Sequence, residues 1–339
     1  MGTVVVSEQV LSSLRPSKGF KNHQEGTAIT CVDFDDTGEW LITSGEDESL
    51  QLYDCILGKH KKTLYSKKYG IDLARFTHRS TNVIYSSTKD DDTLRYLSLH
   101  DNVYIRYFRG HKKRVISLDM SPLDDQFISG GLDNSVRLWD LRSSTCQGLL
   151  NISTPCLAVF DPTGIIFAVA SHPLSSILLY DLRNYDKEPF STFSLNDDGF
   201  LSKISYPPRM PDWIKLEFSN DGKLILIGTR GEGHYLLDAF SGELQSRLTG
   251  HVPVNSDPKS ITSGDVCFTP DGRYIIGASG DKNVVIWDTK QINRSKSLTP
   301  VQILNSGNIG PAKVVTFNPR KMMLVTANNT LAFWLSENY

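Results

Sequence analysis

One stretch decides the fold: it begins at Gly110-His111, continues through Met120-Ser-Pro and Ser129-Gly-Gly-Leu-Asp133, and ends at Trp139-Asp140. A Gly-His opening, a short apolar strand, a Met or aromatic residue before a turn, and a closing Trp-Asp are typical of one blade of a β-propeller. Each blade is a four-stranded sheet that cannot bury its faces alone. Several such blades must therefore pack around a common axis.

The same pattern returns along the whole chain. A second strong copy opens at Gly250-His251, passes through Phe268-Thr-Pro-Asp-Gly and Asp281-Lys-Asn, and closes at Trp287-Asp288. In every unit a turn of Asx, Ser or Thr with Gly or Pro, or Thr-His in the second unit, follows the residue that ends the first strand. The seven residues in this position are Phe34, Phe76, Met120, Phe160, Phe218, Phe268 and Phe317.

These units predict an all-β chain that forms a single seven-bladed β-propeller of the WD40 type over residues 1–339. The closing residues Tyr53, Tyr96 and Trp139 are each 43 residues apart. The strand-poor segment 196–212 is predicted to be an insertion loop, and 250–264 and 289–311 are the other two insertions. The predicted blades span approximately 23–63, 64–109, 110–152, 153–195, 213–249, 250–300 and 301–339.

The last unit has three strands before the chain ends at Tyr339. We therefore expect a strand within residues 10–20 to supply the outer strand of blade seven. A ring closed in this way has no open sheet edge between its first and last blades.

Composition excludes several classes of function. A net charge of −2 gives no support to sequence-independent nucleic-acid binding, and we expect no direct sequence-specific nucleic-acid partner. No apolar run approaches the length of a membrane helix, which predicts no membrane partner. The five cysteines are scattered without a Cys-x-x-Cys pair, so neither a disulfide framework nor a zinc site is indicated.

A histidine, a hydroxyl and a carboxylate occur together in the third unit and could be mistaken for a catalytic triad. We interpret His111, Ser129, Asp133 and Trp139 instead as a buried structural tetrad, with the Trp N–H completing a series of hydrogen bonds. The sixth unit keeps part of this set but has Gly277 in the hydroxyl position, which would disable a catalytic device. The residues that it keeps are His251, Asp281 and Trp287. Because other catalytic and cofactor motifs are also missing, we expect no enzymatic activity and no cofactor.

Two basic clusters lie in loops that enter blades. They are Lys67-Lys68-Tyr69 and Lys112-Lys113-Arg114. Such loops open on the narrower face of a propeller, where a phosphate-bearing peptide could dock through charge-assisted hydrogen bonds. Arg75 and Arg95 are further candidates, and ordinary solvated loop charges are the alternative interpretation.

Other stretches are not generic propeller sequence. They are Leu64-Tyr-Ser-Lys-Lys-Tyr-Gly70, Arg95-Tyr-Leu-Ser-Leu-His-Asp-Asn102, Tyr104-Ile-Arg-Tyr-Phe108, Arg137-Leu-Trp-Asp-Leu-Arg-Ser143, Cys146-Gln-Gly-Leu149, Phe218-Ser-Asn-Asp-Gly-Lys-Leu-Ile-Leu226 and Asp238-Ala-Phe240. Together they resemble the WD-repeat subunit that COMPASS-type histone lysine methyltransferase complexes share with a nuclear protein-phosphatase complex. In fungi, relatives of this subunit also belong to the cleavage and polyadenylation factor.

The resemblance implies a nuclear, non-enzymatic scaffold that acts in transcription and chromatin regulation. Its implied partners are the N-terminal region of a histone methyltransferase, phosphatase-regulatory or mRNA 3′-end-processing subunits, and the phosphorylated C-terminal repeat of RNA polymerase II. Under this interpretation Lys67, Lys68, Tyr69 and the 112–114 cluster contact the phosphopeptide or an acidic partner. Which of these complexes the chain serves stays open.

A different function is suggested by Trp139-Asp140-Leu141-Arg142. This segment matches the short Trp-Asp-x-Arg box that propeller substrate receptors present to adaptors of cullin-4 ubiquitin ligases. A substrate receptor is therefore the alternative to the scaffold.

Overall fold

The computed structural model describes residues 5–254, 266–292 and 296–336. These residues form seven sheets, each with a four-stranded antiparallel core, in a single seven-bladed propeller. The predicted all-β fold is confirmed. Before the first blade, the chain forms a short helix α1 (Glu8–Ser12) and a strand β1 (Leu14–Phe20).

Blades one to three follow one another without long insertions. Their strands are β2 (Ile29–Phe34), β3 (Trp40–Gly45), β4 (Ser49–Asp54), β5 (Lys59–Tyr65), β6 (Asp72–Phe76), β7 (Asn82–Ser86), β8 (Leu94–Ser98), β9 (Val103–Phe108), β10 (Val115–Met120), β11 (Gln126–Gly131), β12 (Ser135–Asp140) and β13 (Gly148–Asn151).

Blades four to seven contain the insertions. Their elements are β14 (Leu157–Phe160), β15 (Ile166–Ser171), β16 (Ser176–Asp181), β17 (Ser191–Ser194), α2 (Asp198–Ile204), β18 (Trp213–Phe218), β19 (Leu224–Thr229), β20 (His234–Asp238), β21 (Leu244–Leu248), β22 (Val266–Phe268), β23 (Tyr274–Ala278), β24 (Asn283–Asp288), β25 (Ser297–Leu298), β26 (Gln302–Asn305), β27 (Val314–Phe317), β28 (Met323–Ala327) and β29 (Leu331–Ser336). Two short 3₁₀ turns cover Thr289–Gln291 and Gly307–Ile309.

The turn between the first and second strands has the same chemistry in several blades. Gly38, Gly164, Gly222 and Gly272 occupy it in blades one, four, five and six, with φ values of 65°, 64°, 69° and 68°. A residue with a side chain rarely adopts this left-handed conformation, whereas glycine adopts it freely. The second strand that follows is buried along nearly its whole length, because neighbouring blades cover both of its faces.

Inner strands of neighbouring blades are joined by buried carboxylates. Asp33 of β2 accepts a hydrogen bond from the backbone N–H of Phe76 at 2.8 Å. In the same way, Asp119 of β10 accepts from Phe160 at 2.8 Å. Each carboxylate therefore fixes the next blade along the chain, and both acids line a central cavity of about 740 Å³.

The N-terminal strand closes the ring. Strand β1 pairs antiparallel with β29, from Leu14 opposite Ser336 to Phe20 opposite Leu331. The Phe20 ring lies 5.0 Å from the rings of both Tyr53 in blade one and Phe333 in blade seven. The predicted closure by an N-terminal strand is confirmed.

The blade boundaries need three corrections. Strand β5 extends to Tyr65, past the predicted end of blade one at residue 63. Strand β26 (Gln302–Asn305) pairs with β24, so the outer strand of blade six lies beyond the predicted boundary at 300. Strand β25 pairs parallel with β21 and adds a fifth strand to blade five, although its residues fall in the range predicted for blade six.

The closing residue of blade two differs from the predicted one by a single position. Leu97 lies opposite Val83, in the register that Trp139 takes opposite Phe127 and Tyr53 takes opposite Leu41. The closing residue of blade two is therefore Leu97 and not Tyr96. Because side chains alternate along a strand, Tyr96 lies on the face of the sheet opposite to that of the closing residues.

The insertion predicted as a loop over 196–212 contains an ordered helix. Asp197, just before α2, forms an ion pair with Arg247 of β21, and the Arg247 guanidinium carbon lies 3.7 Å from the Phe200 ring centre. Leu201 of the helix is buried. The insertion is therefore attached to blade five. Most of the 250–264 insertion lies outside the described residues.

Deletion of residues 1–22 should destabilise the whole propeller. The deletion removes α1 and β1, and with them the buried side chains of Leu11, Leu14 and Phe20, which are 0%, 0% and 9% exposed. Burial of each such side chain contributes about 1.5–3 kcal/mol, so the free energy of unfolding should fall by roughly 5–9 kcal/mol. Chemical denaturation measures this change. Deletion of residues 2–5 is the control, and equal stability of the two truncated chains would contradict closure by β1.

Candidate partner-binding face

The two predicted basic clusters lie on one face of the propeller. Residues 66–71 join β5 to β6, and residues 109–114 join β9 to β10, so both connect the outer strand of one blade to the inner strand of the next. The Arg114 guanidinium donates to the Asp72 carboxylate at the start of β6, over 2.8 Å. This ion pair joins the two loops.

The six predicted contact residues have different environments. Lys67, Lys68, Lys112 and Lys113 are exposed, and none of them has an ion-pair partner within the described part of the chain. Tyr69 is half-buried, and its backbone carbonyl accepts hydrogen bonds from the N–H groups of Thr88 and Lys89, at 2.9 and 2.8 Å. Arg114 is also half-buried, and its ion pair with the buried Asp72 gives it a structural role.

The residues of the predicted blade-three tetrad lie in a series of hydrogen bonds. Trp139 Nε1–H donates to Ser129 Oγ over 2.8 Å, and Ser129 Oγ is 2.8 Å from His111 Nε2. His111 Nδ1 lies 3.1 Å from both carboxylate oxygens of Asp133. Because the indole can only donate, the Ser129 hydroxyl donates to Nε2, and the imidazole proton on Nδ1 faces Asp133.

The tetrad positions the second basic loop. The backbone N–H of Lys112 donates to Asp133 Oδ2 over 2.9 Å. Burial lowers the pKa of His111, so the imidazole stays neutral at neutral pH. Burial alone would raise the pKa of Asp133, but the hydrogen bonds from Lys112 N–H, Ser135 and His111 lower it overall. Asp133 is therefore an ionised acceptor that holds the loop at its first lysine.

Blade one contains a similar series that the sequence pattern did not predict. His23 Nδ1 lies 2.9 Å from Asp47 Oδ1, and His23 Nε2 lies 2.8 Å from Thr43 Oγ1. The spacing was a usable signal, because Thr43, Asp47 and Tyr53 repeat the steps of four and six residues found from Ser129 to Asp133 and Trp139. A threonine and a tyrosine in place of serine and tryptophan concealed it.

The tetrad predicted for blade six is wrong. His251 Nε2 donates to the Gly231 carbonyl over 3.1 Å, and Trp287 Nε1 donates to the Thr249 carbonyl over 2.9 Å. Asp281 Oδ2 instead accepts a hydrogen bond from the side-chain amide of Asn283 at 2.8 Å. With Gly277 in the hydroxyl position, no side chain among the described residues links the histidine to the indole.

A stacked pair of histidines takes the place of this series. The rings of His234 and His251 lie 4.3 Å apart with an interplanar angle of 9°, and they are 0% and 7% exposed. His234 Nδ1 accepts from the Thr229 N–H over 3.1 Å. Burial lowers the pKa of both histidines, and mutual repulsion lowers that of His234 further. The hydrogen bond to the Gly231 carbonyl and the charge of Asp281 partly raise the pKa of His251. The stack is therefore stable only while both rings are neutral.

Arg75, named with Arg95 as a further candidate, does not lie at the basic loops. It lines the central cavity, and its Nη1 donates to Cys31 Sγ over 2.7 Å. Its charge partly offsets the burial that raises the pKa of Asp33 to about 6. Arg95 does belong to the basic face, which is the side of the propeller formed by residues 66–71 and 109–114. Its guanidinium carbon lies 3.6 Å from the Tyr69 ring centre.

Charged side chains in two further segments have partners within the protein. Asp91, in the run Asp90–Asp92, accepts a hydrogen bond from the Arg95 guanidinium, and the described residues contain no group of three or more potential metal ligands. Arg142, in the segment that suggested a ligase receptor, is 72% exposed and pairs with Asp140. That alternative stays a prediction.

The fold and this face define the class of the protein. The family model for the WD domain, G-beta repeat, matches residues 14–54, 102–140 and 242–288. A WD40 propeller with exposed lysines on rigidly held loops is a platform suited to binding other proteins. No helix among the described residues has the length and apolar character needed to span a membrane.

Comparison with known proteins narrows this class to one family. The chain is 45% identical to WD repeat-containing protein 82 of Drosophila melanogaster over 97% of its length and 96% of that protein. It is 38% identical to the Set1 complex component swd2 of Schizosaccharomyces pombe, over 98% and 100%. It is 35% identical to the COMPASS component SWD2 of Saccharomyces cerevisiae, over 99% and 100%. The chain belongs to this family of WD-repeat proteins, which confirms the resemblance.

Replacement of Ser129 with alanine should destabilise blade three. The Trp139 indole N–H and His111 Nε2 would both lose their partner inside the protein. Each unsatisfied buried group costs about 1–3 kcal/mol, so the free energy of unfolding should fall by roughly 2–6 kcal/mol. Urea denaturation measures the loss, with the exposed Ser144→Ala as control. Equal stability of the two variants would contradict the structural role of the series.

Acid should destabilise the protein through the His234–His251 stack. Both folded-state pKa values lie below 6.5, so the stability contribution is complete above pH 6.5 and is lost as the pH falls below it. The fall in melting temperature from pH 7.5 to pH 5.5 should be larger in the wild type than in the double variant His234→Gln/His251→Gln. The control is His100→Gln, which alters a histidine with a side chain 82% exposed. An unchanged pH dependence in the double variant would be the contrary result.

Proposed function

We propose that this chain is a non-enzymatic scaffold subunit of a COMPASS-type histone methyltransferase complex in the nucleus. The names of two relatives support this assignment, since one is a COMPASS component and the other a Set1 complex component. The propeller supplies a rigid frame, and its loops supply the contact surface. A partner in this role is the N-terminal region of the methyltransferase; phosphatase-regulatory and cleavage and polyadenylation subunits are the partners in the related complexes.

The basic face is proposed to bind the phosphorylated C-terminal repeat of RNA polymerase II. The observation that carries this proposal is the exposure of Lys67, Lys68, Lys112 and Lys113 on two loops that internal hydrogen bonds hold in place. A loop whose backbone is already held in place loses less conformational freedom when its lysines bind a phosphate group. A charge-assisted hydrogen bond to phosphate is about twice as strong as a neutral one. The scaffold would thereby be recruited to transcribing polymerase.

Reversing the charges of the exposed lysines tests phosphopeptide binding separately from the scaffold role. The quadruple variant with Lys67, Lys68, Lys112 and Lys113 all changed to Glu should bind a serine-phosphorylated repeat peptide at least tenfold more weakly than the wild type, because four attractive charges become repulsive. The matched control, Lys59→Glu/Lys61→Glu, alters two exposed lysines of β5 outside these loops. Fluorescence anisotropy with phosphorylated and unphosphorylated peptides measures the difference.

Affinity purification of the same tagged proteins from nuclear extract tests the scaffold itself. Methyltransferase-complex subunits should accompany both the wild type and the quadruple variant, whereas phosphorylated polymerase should accompany only the wild type. Equal peptide binding by the quadruple variant would contradict the phosphopeptide site. Recovery of ligase adaptors without methyltransferase subunits would instead favour the substrate receptor predicted from Trp139-Asp-Leu-Arg142.

A further inference from the structure

Arg95 of β8 is a buried cation with incompletely satisfied donors. Its side chain is 2% exposed, and its Nη2 donates to the Asp91 carboxylate over 3.1 and 3.2 Å. Its Nε and Nη1 are buried and have no hydrogen-bond partner among the described residues. Unpaired buried donors on a charged group are costly and need an explanation. An anionic ligand would supply the missing acceptors.

The Tyr69 ring lies over this guanidinium, and a second cation, that of Lys68, lies over the same ring. The Arg95 guanidinium carbon lies 3.6 Å from the centre of the Tyr69 ring, and Lys68 Nζ lies 5.0 Å from the same centre. The face of an aromatic ring attracts each cation, but the two positive charges repel each other. An anion that reaches both cations would therefore be favoured.

The remaining walls of this site are tyrosine rings that are joined to neighbouring residues by hydrogen bonds. The rings of Tyr107 and Tyr104 lie 5.5 and 6.0 Å from the Arg95 guanidinium carbon. The Tyr104 hydroxyl is 2.8 Å from the Tyr85 hydroxyl, which donates to Ser66 at the start of the basic loop. Backbone hydrogen bonds also hold the main chain at Tyr69. These backbone hydrogen bonds hold the loop but do not hold the half-buried Tyr69 side chain.

We propose that Arg95 is the anion receptor of the basic face and that the Tyr69 side chain is its lid. Rotation of Tyr69 opens the guanidinium to one phosphoryl or carboxylate group of a bound peptide, and Lys68 provides the second positive charge. This inference rests on the proposed peptide-binding function and assigns its central contact. The exposed lysines of the two loops then attract the peptide, and Arg95 holds its anionic group.

In this site the Asp91 carboxylate competes with the bound anion for the Arg95 guanidinium. Its carboxylate already holds one end of the guanidinium and is 38% exposed, so an incoming anion meets it directly. Asp90 and Asp92 add negative charge to the same loop. Removal of the Asp91 charge should therefore strengthen binding of an anionic peptide, whereas a purely supporting role for Asp91 predicts weaker binding.

The experiment uses the full-length protein and a two-repeat RNA polymerase II peptide. The peptide is prepared in three forms: serine-phosphorylated, with glutamate in place of the phosphorylated serines, and unmodified. Arg95→Lys keeps the charge but loses the planar guanidinium, and should weaken binding of the phosphorylated peptide about tenfold. Asp91→Asn should strengthen it about threefold. The Arg95 Nε–H resonance of the wild type should shift at saturation, which provides a direct measurement that does not depend on the stability of a variant.

The outcomes distinguish this inference from the proposed function. An unmoved Arg95 resonance at saturating peptide, or unchanged affinity in Arg95→Lys, would overturn the anion receptor while leaving the basic face intact. Weaker binding by Asp91→Asn would equally overturn the competitor role. Absence of any binding by the wild type would defeat the proposed function itself. Binding of the phosphorylated peptide alone would identify a phosphoryl site, and equal binding of the glutamate peptide a general anion site.

Discussion

Closure of the ring by β1 is the constraint on which the other features depend. Carboxylates join neighbouring inner strands, but each contact supports only the next blade along the chain. The antiparallel pairing of β1 with β29 joins the last blade to the residues that precede the first. Phe20, packed between Tyr53 and Phe333, turns this pairing into a contact between blades one and seven. A closed ring removes the free edges that an open array of sheets would present.

Within the closed ring, the blades use different buried residues to satisfy the polar groups of their connecting loops. Every blade must connect its outer strand to the next inner strand, and the polar groups inside that connection need partners. Blade three uses the complete series from Trp139 to Asp133, and blade one uses a variant with Thr43. Blade six uses two neutral stacked histidines instead. The first of these arrangements also holds the backbone of Lys112, so stability and partner recognition share one network.

Much of the fold could be predicted because its signals are local. Turn residues, the aromatic before each turn and the closing Trp-Asp depend on short segments, and they indicated seven blades and their closure. The register of blade two could not be read in this way, because Tyr96 and Leu97 are both apolar and either could close the strand. The pairing of Ser297–Leu298 with blade five was also hidden, since two residues have no periodicity.

The sequence by itself determined the class of fold, the closing strand, the family and the two loops that carry exposed lysines. Only the tertiary structure decided which cations are available for binding. Arg114 is paired with Asp72, Arg75 faces the central cavity, and Arg95 lies beneath Tyr69. These partners come from neighbouring strands and blades, where the register and packing of whole sheets decide which side chains meet. Charge is a property of the residue, but its availability is a property of the fold.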